Sequence, residues 1–227
     1  MQIRKISILL LMICLSAVLA NAVTPPTTTI DISSLTNTTW CGAPLGGYIN
    51  CSTFPFGDQT YDGIPFLIPG NASGTANNVW NADQAAGGGS GTVSITVPIN
   101  VAKVKTVYTL MDSFWGSTQP SLLSITFTES AGATWTFNPI GGTNLRDYNQ
   151  NGSTTNTIAC QLPNGVGKSA TINAWVNGDG QRLDEQVYEL PAAFRTQTLV
   201  SITITDSGNA NEQRSFLAAV TVSTALP

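Results

Sequence analysis

Residues 199–205 read Leu-Val-Ser-Ile-Thr-Ile-Thr, and the two-residue alternation within them decides the fold class. Val200, Ile202 and Ile204 fall on one side of an extended chain, with Ser201, Thr203 and Thr205 on the other. Successive side chains of a strand point to opposite faces, so one face is apolar and the other hydroxylated. The pattern recurs in Leu123, Ile125 and Phe127 against Ser124, Thr126 and Thr128, and in Val93, Ile95 and Val97 against Thr92, Ser94 and Thr96. Val220 and Val222 continue it near the C-terminus. Thr and Ser suit a pleated, solvated face, and Gly, Asn, Pro and Ser bound each stretch.

Working outward, strands are predicted at 29–33, 64–68, 92–97, 103–111, 122–128, 133–138, 155–160, 170–176, 185–190, 199–205 and 215–223. Helical periodicity is confined to Pro191–Gln197, a short helix opened by its proline. This pattern predicts an all-β, antiparallel two-sheet β-sandwich forming a single domain over 29–227, after a flexible lead-in at 23–28. No repeat period points to a propeller or solenoid.

The first 22 residues carry an export signal. Arg4 and Lys5 precede an apolar run from Ile6 to Leu19, and Ala20-Asn21-Ala22 offers small residues at a cleavage site. The run is shorter than the roughly 20 apolar residues of a spanning helix. Ile13, just before Cys14, argues against lipoprotein processing. The expected product is a secreted, extracellular chain with no membrane insertion after signal cleavage.

Of nine basic residues, seven remain after cleavage against thirteen acidic ones, a net charge of −6. With no Lys/Arg cluster, nucleic acid is not an expected partner. The chain has no histidine, which removes Ser-His-Asp and Cys-His nucleophile activation and the usual catalytic zinc sets. Gly87-Gly88-Gly89-Ser90-Gly91 lacks the lysine of a phosphate-binding loop and reads as a flexible connection. Catalysis would need paired carboxylates, with Asp112, Asp147, Asp184 and Glu185 as candidates, but their spacing does not mark them out. No catalytic residues are therefore assigned. No cofactor or metal ligands are assigned either; a structural calcium would find oxygen ligands in the loops, yet Asn177-Gly178-Asp179-Gly180 is better explained as a turn. Cys41 and Cys51 flank a turn-rich segment and are expected to form a disulfide in an oxidising compartment. Cys160 reads as a buried thiol.

If consecutive strands run antiparallel, alternate loops share an end of the sandwich. Segments 69–91, 112–121, 139–154, 177–184 and 206–214 then gather at one rim, and 98–102, 129–132, 161–169 and 191–198 at the other. The first rim collects Asp112, Trp115, Arg146, Asp147, Tyr148, Arg182 and Asp184, together with Trp80, Asp83, Asp206 and Arg214. Long loops on a rigid scaffold are a usual place for binding residues. Guanidinium–carboxylate contacts that merely tie the loops together are the alternative. Alternation in 171–176 turns Trp175 outward, whereas Trp135 shares a face with Phe137 and Trp40 neighbours Cys41. Exposed rings stack on apolar sugar faces while amides, carboxylates and guanidinium groups bond hydroxyls. Asp112, Trp115, Arg146, Asp147, Tyr148, Trp175, Arg182 and Asp184 are thus the candidate ligand-binding set, for a glycan or other extracellular polymer. For Trp115, folding back as a loop anchor stays open. Asn37-Thr38-Thr39, Asn50-Cys51-Ser52, Asn71-Ala72-Ser73 and Asn151-Gly152-Ser153 match the N-glycosylation acceptor pattern of a eukaryotic host.

Ile30-Asp31-Ile32-Ser33-Ser34, then Tyr61-Asp62-Gly63-Ile64-Pro65-Phe66-Leu67-Ile68, then Asn78-Val79-Trp80 resemble galactose-binding-domain-like jelly-roll modules attached to secreted bacterial enzymes. The likeness extends through Thr-rich strands such as Ser124–Thr128 and covers most of 29–223 in strand order. It implies a jelly roll and a non-catalytic, often carbohydrate-binding role, but contributes no ligand residues. A structural or adhesive surface protein is the rival, and a carboxylate-based glycan-active enzyme the second alternative.

Overall fold

Thr27–Ile30 forms β1 in the computed structural model, which describes residues 26–40, 53–119, 121–149, 169–209 and 212–224, with only the main chain of 169–172. Next come β2 (Gly57–Tyr61), β3 (Ile64–Ile68), the two-residue β4 (Trp80–Asn81), the one-turn helix α1 (Ala82–Ala85), β5 (Val93–Ala102) and β6 (Val104–Phe114). β7 (Leu123–Glu129), β8 (Thr134–Phe137), β9 (Ser169–Val176), β10 (Arg182–Glu189), β11 (Thr198–Asp206) and β12 (Arg214–Thr224) complete the order. The chain is all-β, and its strand pairs are antiparallel. One sheet runs β1-β12-β6-β10-β9, with β4 also on β12; a second runs β5-β11-β7-β8; β2 and β3 form a separate hairpin.

The pairing is nested. β1 pairs with β12, β5 with β11, β6 with β10, and β7 with β8, so the outermost strands in sequence are partners and each inner pair lies within them.

Alternation explains the packing of the sheets. Ile95, Val97, Ile125, Phe127, Ile202 and Ile204 of the four-stranded sheet share one core with Val107, Met111, Tyr188, Leu217, Val220 and Val222 of the other. Each fully buried aliphatic or aromatic side chain contributes about 1.5–3 kcal/mol. The opposite face of the four-stranded sheet is a ladder of hydroxyls: Ser94 to Thr205 at 2.9 Å, Thr96 to Thr203 at 3.0 Å and Thr126 to Thr136 at 2.9 Å. Register sets these pairs side by side, and cross-strand hydroxyl pairs stabilise a sheet modestly.

The larger sheet is covered on both faces. Its outer face carries Leu110, Phe114, Leu183 and Phe216, packed with Trp40, Phe54, Phe66 and Ile68 in a second, aromatic-rich core. The β2–β3 hairpin closes over it, and Thr221 Oγ1 donates to the Pro65 carbonyl at 2.6 Å. The hairpin turns through Asp62 (φ 46°) and Gly63 (φ 78°), a primed turn that Asp-Gly favours because both residues need positive φ. β12, packed on both sides, is buried from Arg214 to Ser223.

Several boundaries differ from the sequence reading. Thr27 and Thr28 of the expected lead-in belong to β1, because Ser223 and Val222 supply pairing partners. Asp31 ends that strand: its Oδ1 accepts from Ser33 N at 2.8 Å and Ser33 Oγ at 2.5 Å, drawing the chain into the 3-10 turn Ser33–Leu35. β2 was not predicted, since GDQTY lacks apolar alternation and is held by the hairpin. Pro191 precedes a 3-10 turn, Ala192–Thr196, in place of an α-helix. The signal segment 1–22, the Cys41–Cys51 pairing, Cys160, the strand at 155–160 and the acceptor segments at Asn50 and Asn151 lie outside the described residues. Among the described residues, no helix is long and apolar enough to cross a membrane.

Candidate functional site

β6 and β10 are hydrogen-bonded over Thr106–Leu110 and Glu185–Glu189, then part. Residues Arg146–Asn149 enter the gap as an extra short strand. Ser113 N donates to Arg146 O at 3.0 Å, Tyr148 N to Ser113 O at 2.9 Å, and Arg182 N to Tyr148 O at 2.9 Å. Asn149 forms an antiparallel bridge to Gln181 on the far side. Pairing with β12 and with β9 carries the two flanking strands on past this gap, so Asp112, Arg182 and Asp184 stand on β6 and β10 rather than in the expected loops.

The five charged candidates converge in this gap, all buried: Asp112, Arg146, Asp147, Arg182 and Asp184. Arg146 grips Asp184 with two nitrogens, Nε to Oδ2 at 2.6 Å and Nη2 to Oδ1, and Nη2 also reaches Asn173 Oδ1. Such a fork is the strongest geometry available to a guanidinium–carboxylate pair. Arg182 donates Nε and Nη2 to the Asp147 carbonyl at 3.0 and 2.7 Å, so it clasps the inserted main chain. Asp112 Oδ2 accepts from Asp184 N at 3.0 Å, while its Oδ1 has no partner. Burial, and next the Asp184 carboxylate beside it, raise the Asp112 carboxyl well above the usual range. A neutral Asp112 leaves two guanidinium groups facing two carboxylates. Burial also pushes Asp147 up to about 6, opposed by hydrogen bonds from the Asn149 and Trp115 N–H groups and by the Arg182 charge.

The aromatic candidates border this cluster. Trp115 follows directly on β6, adopts φ +58° and leaves 38% of its surface exposed. Its ring meets Phe114 edge-on at 6.0 Å. Tyr148 packs between Phe114 at 5.0 Å and Trp40 at 5.6 Å, and burial pushes its hydroxyl up to about 12. Trp175 is half-buried, with its ring 5.7 Å from Phe54. Alternation in 171–176 placed Ala174 opposite Trp175, but a register shift at Leu183/Asp184 leaves Ala174 as an extra residue, and both pack on the aromatic core. Val176, the last residue of β9, is 42% exposed.

A second buried pair anchors the neighbouring loops. Arg214 and Asp206 are fully buried and 3.1 Å apart. Arg214 also donates to the carbonyls of Gly89 at 2.6 Å and Gly91 at 3.1 Å, and Asp206 Oδ2 accepts from Ser215 N and Oγ, each at 2.7 Å. Gly208 is required there, because a Cβ would lie 1.8 Å from the Gln213 carbonyl oxygen. Gln213 Oε1 in turn accepts from Ser117 N at 3.3 Å. Segments 89–91, 112–119, 141–149, 181–184, 206–209 and 212–215 are thereby linked at one rim, while Ser130 N to Thr198 O at 2.9 Å and Lys103 N to Gln197 O at 2.7 Å join loops at the other.

Glu185 stands apart from both clusters. It is 1% exposed, its Oε2 has no partner, and burial with the nearby Asp62 charge pushes it up to about 7. Asn173 went unnoticed in the sequence because it sits inside a strand alternation with no signal of its own. Asn177 Oδ1 accepts from Asp179 N and Gln181 N at 3.0 and 2.9 Å, closing the β9–β10 turn. Among the described residues no group of three His, Cys, Asp or Glu could hold a metal ion. No protein-family model matches the chain, and no curated protein does either.

Proposed function

We propose that this chain is an exported, non-catalytic binding module of jelly-roll type, which holds carbohydrate or a related extracellular polymer against an aromatic edge at Trp115, Tyr148 and Trp175. The observation that carries this reading is Trp115 itself. A bulky residue at φ +58° is held against roughly 1–3 kcal/mol of backbone strain, yet much of its ring faces solvent. Core packing therefore does not account for the conformation, and a flat, exposed indole suits the apolar face of a sugar ring. The buried charges serve as the frame beneath it. Arg182 clasps the Asp147 main chain, and the Asp147 carboxylate accepts from the Trp115 N–H. Asn173, exposed, offers its amide N–H groups to hydroxyls while its Oδ1 accepts from Arg146.

The nested pairing supports the jelly-roll assignment, because a long antiparallel ribbon wrapped into two sheets produces that partnership of first with last. The likeness to galactose-binding-domain-like modules points the same way, though fold alone does not assign a ligand. A structural or adhesive role is favoured by one other observation, the uncharged, registered hydroxyl face of the four-stranded sheet.

The test is retention on insoluble polysaccharides and a glycan array, with Trp115→Gly as the variant. Glycine relieves about 1 kcal/mol of strain at the positive φ but gives up the ring's packing on Phe114, so the variant is compared with the parent at a temperature where melting shows both folded, and retention falls at least tenfold. Unchanged retention overturns the reading. Absence of saccharide binding together with concentration-dependent assembly would favour the adhesive role.

A further inference from the structure

We infer that Asn71 is a site of N-linked glycan attachment and that Asn37, which carries the same Asn-X-Ser/Thr pattern, is not. This rests on the export reading, since the donor is an oligosaccharide on a lipid diphosphate facing a secretory lumen. Asn71, Ala72 and Ser73 are all exposed on the turn that leaves β3. Asn71 Oδ1 holds the turn by accepting from Thr75 N at 3.0 Å, Ala76 N at 3.3 Å and Ser73 Oγ at 3.0 Å. Its Nδ2 makes one long contact, 3.3 Å to the exposed Thr75 hydroxyl, and so can carry a substituent without disturbing the fold.

Asn37 is in the opposite situation. Both ends of its amide engage one residue: Nδ2 donates to Asn81 O at 3.0 Å, and Oδ1 accepts from Asn81 N at 2.8 Å. A side chain paired in this way uses the amide hydrogen on the same side as Oδ1. In a trans secondary amide that position belongs to the substituent, so a sugar on Asn37 would displace its bond to Asn81. Asn81 in turn caps α1 by accepting from Asp83 N and Gln84 N, and Thr38 is buried against Val79. The acceptor pattern at Asn37 is thus part of the fold's framework.

Transfer forms one bond, between Asn71 Nδ2 and the anomeric carbon of the first sugar. It breaks the bond from that carbon to the lipid diphosphate oxygen, which leaves as the anion, and the amide gives up one proton to the transferase. The experiment is expression of the full chain in a eukaryotic secretory cell line, with glycopeptide mapping of protein recovered from the medium. The expected result is a glycan on the Asn71 peptide and a bare Asn37 peptide. Ser73→Ala removes the acceptor pattern but keeps the main-chain bonds of Asn71, and should abolish that glycan with melting unchanged. A bare Asn71 on secreted protein, or an occupied Asn37 on folded protein, overturns the inference. A chain left unprocessed in the cytosol overturns the export reading and this inference with it.

Discussion

Replacing Glu185 by glutamine tests the electrostatics beneath the hairpin. The carboxyl is buried, leaves Oε2 without a partner and stands near Asp62 at the hairpin tip. Its value rises from 4.5 to about 7, with burial the larger cause and the Asp62 charge the smaller. The folded chain therefore holds a proton that the unfolded chain releases between those limits. Stability from this group is fully present below pH 4.5 and is lost as pH rises through about 7. The gap between 4.5 and about 7, at about 1.36 kcal/mol for each tenfold change in proton affinity, amounts to about 3 kcal/mol. Glu185→Gln keeps the shape and removes the ionisation. Its advantage over the parent should be near zero at pH 4.5 and should grow to about 3 kcal/mol above pH 7.5, or some 6–12 °C in melting temperature for a domain of this size. Urea unfolding of both proteins across that range measures the difference. Asp62→Asn should recover the smaller part of the gain. A difference that stays flat with pH, or a variant that is less stable at pH 8, would refute the reasoning.

Two further substitutions probe the frame. Arg182→Ala should lower stability by about 3 kcal/mol in denaturant unfolding, because it leaves the buried Asp147 carbonyl without its two donors and removes one of the two guanidinium charges facing the buried carboxylates; Arg182→Lys should not restore it, since a single ammonium cannot bond as the fork does. Gly208→Ala should cost about 2 kcal/mol or more, as its Cβ would strike the Gln213 carbonyl, and calorimetry against Gly178→Ala, where the space is open, provides the control.

The strands of the four-stranded sheet were legible in the sequence because they alternate and one face is solvated, although a shift at Leu199/Ser201 in β11 buries Leu199 in place of Val200. Ser201, Thr203 and Thr205 announce their side without reference to any partner. The parity of loops also brings the Arg146 and Arg182 segments to one end. What that argument lacked was the partner of each group. Arg146 meets Asp184 and Asn173, and Arg182 meets main chain, only because residues 146–149 slip between β6 and β10, a long-range event with no local signature. Trp175 lies on the outer face as alternation predicts, where Phe54 covers it, but Ala174 was misplaced for a related reason. A one-residue bulge reverses the side of every residue beyond it, and nothing in TINAWV marks the bulge. β12 was legible as a strand at Val220 and Val222, but its burial on both faces depends on the hairpin that covers it.

The nested pairing sets an order in time. β1 has no strand partner until β12 exists, and β12 is the last of the described strands to leave the ribosome. β5 must likewise wait for β11, so neither sheet can be completed on a partial chain. Contacts this distant in sequence form slowly. During synthesis the β2–β3, β7–β8 and β9–β10 hairpins have both partners near at hand. Closure of the molecule is accordingly a single late step, in which the two ends of the domain meet side by side and draw the inner pairs together.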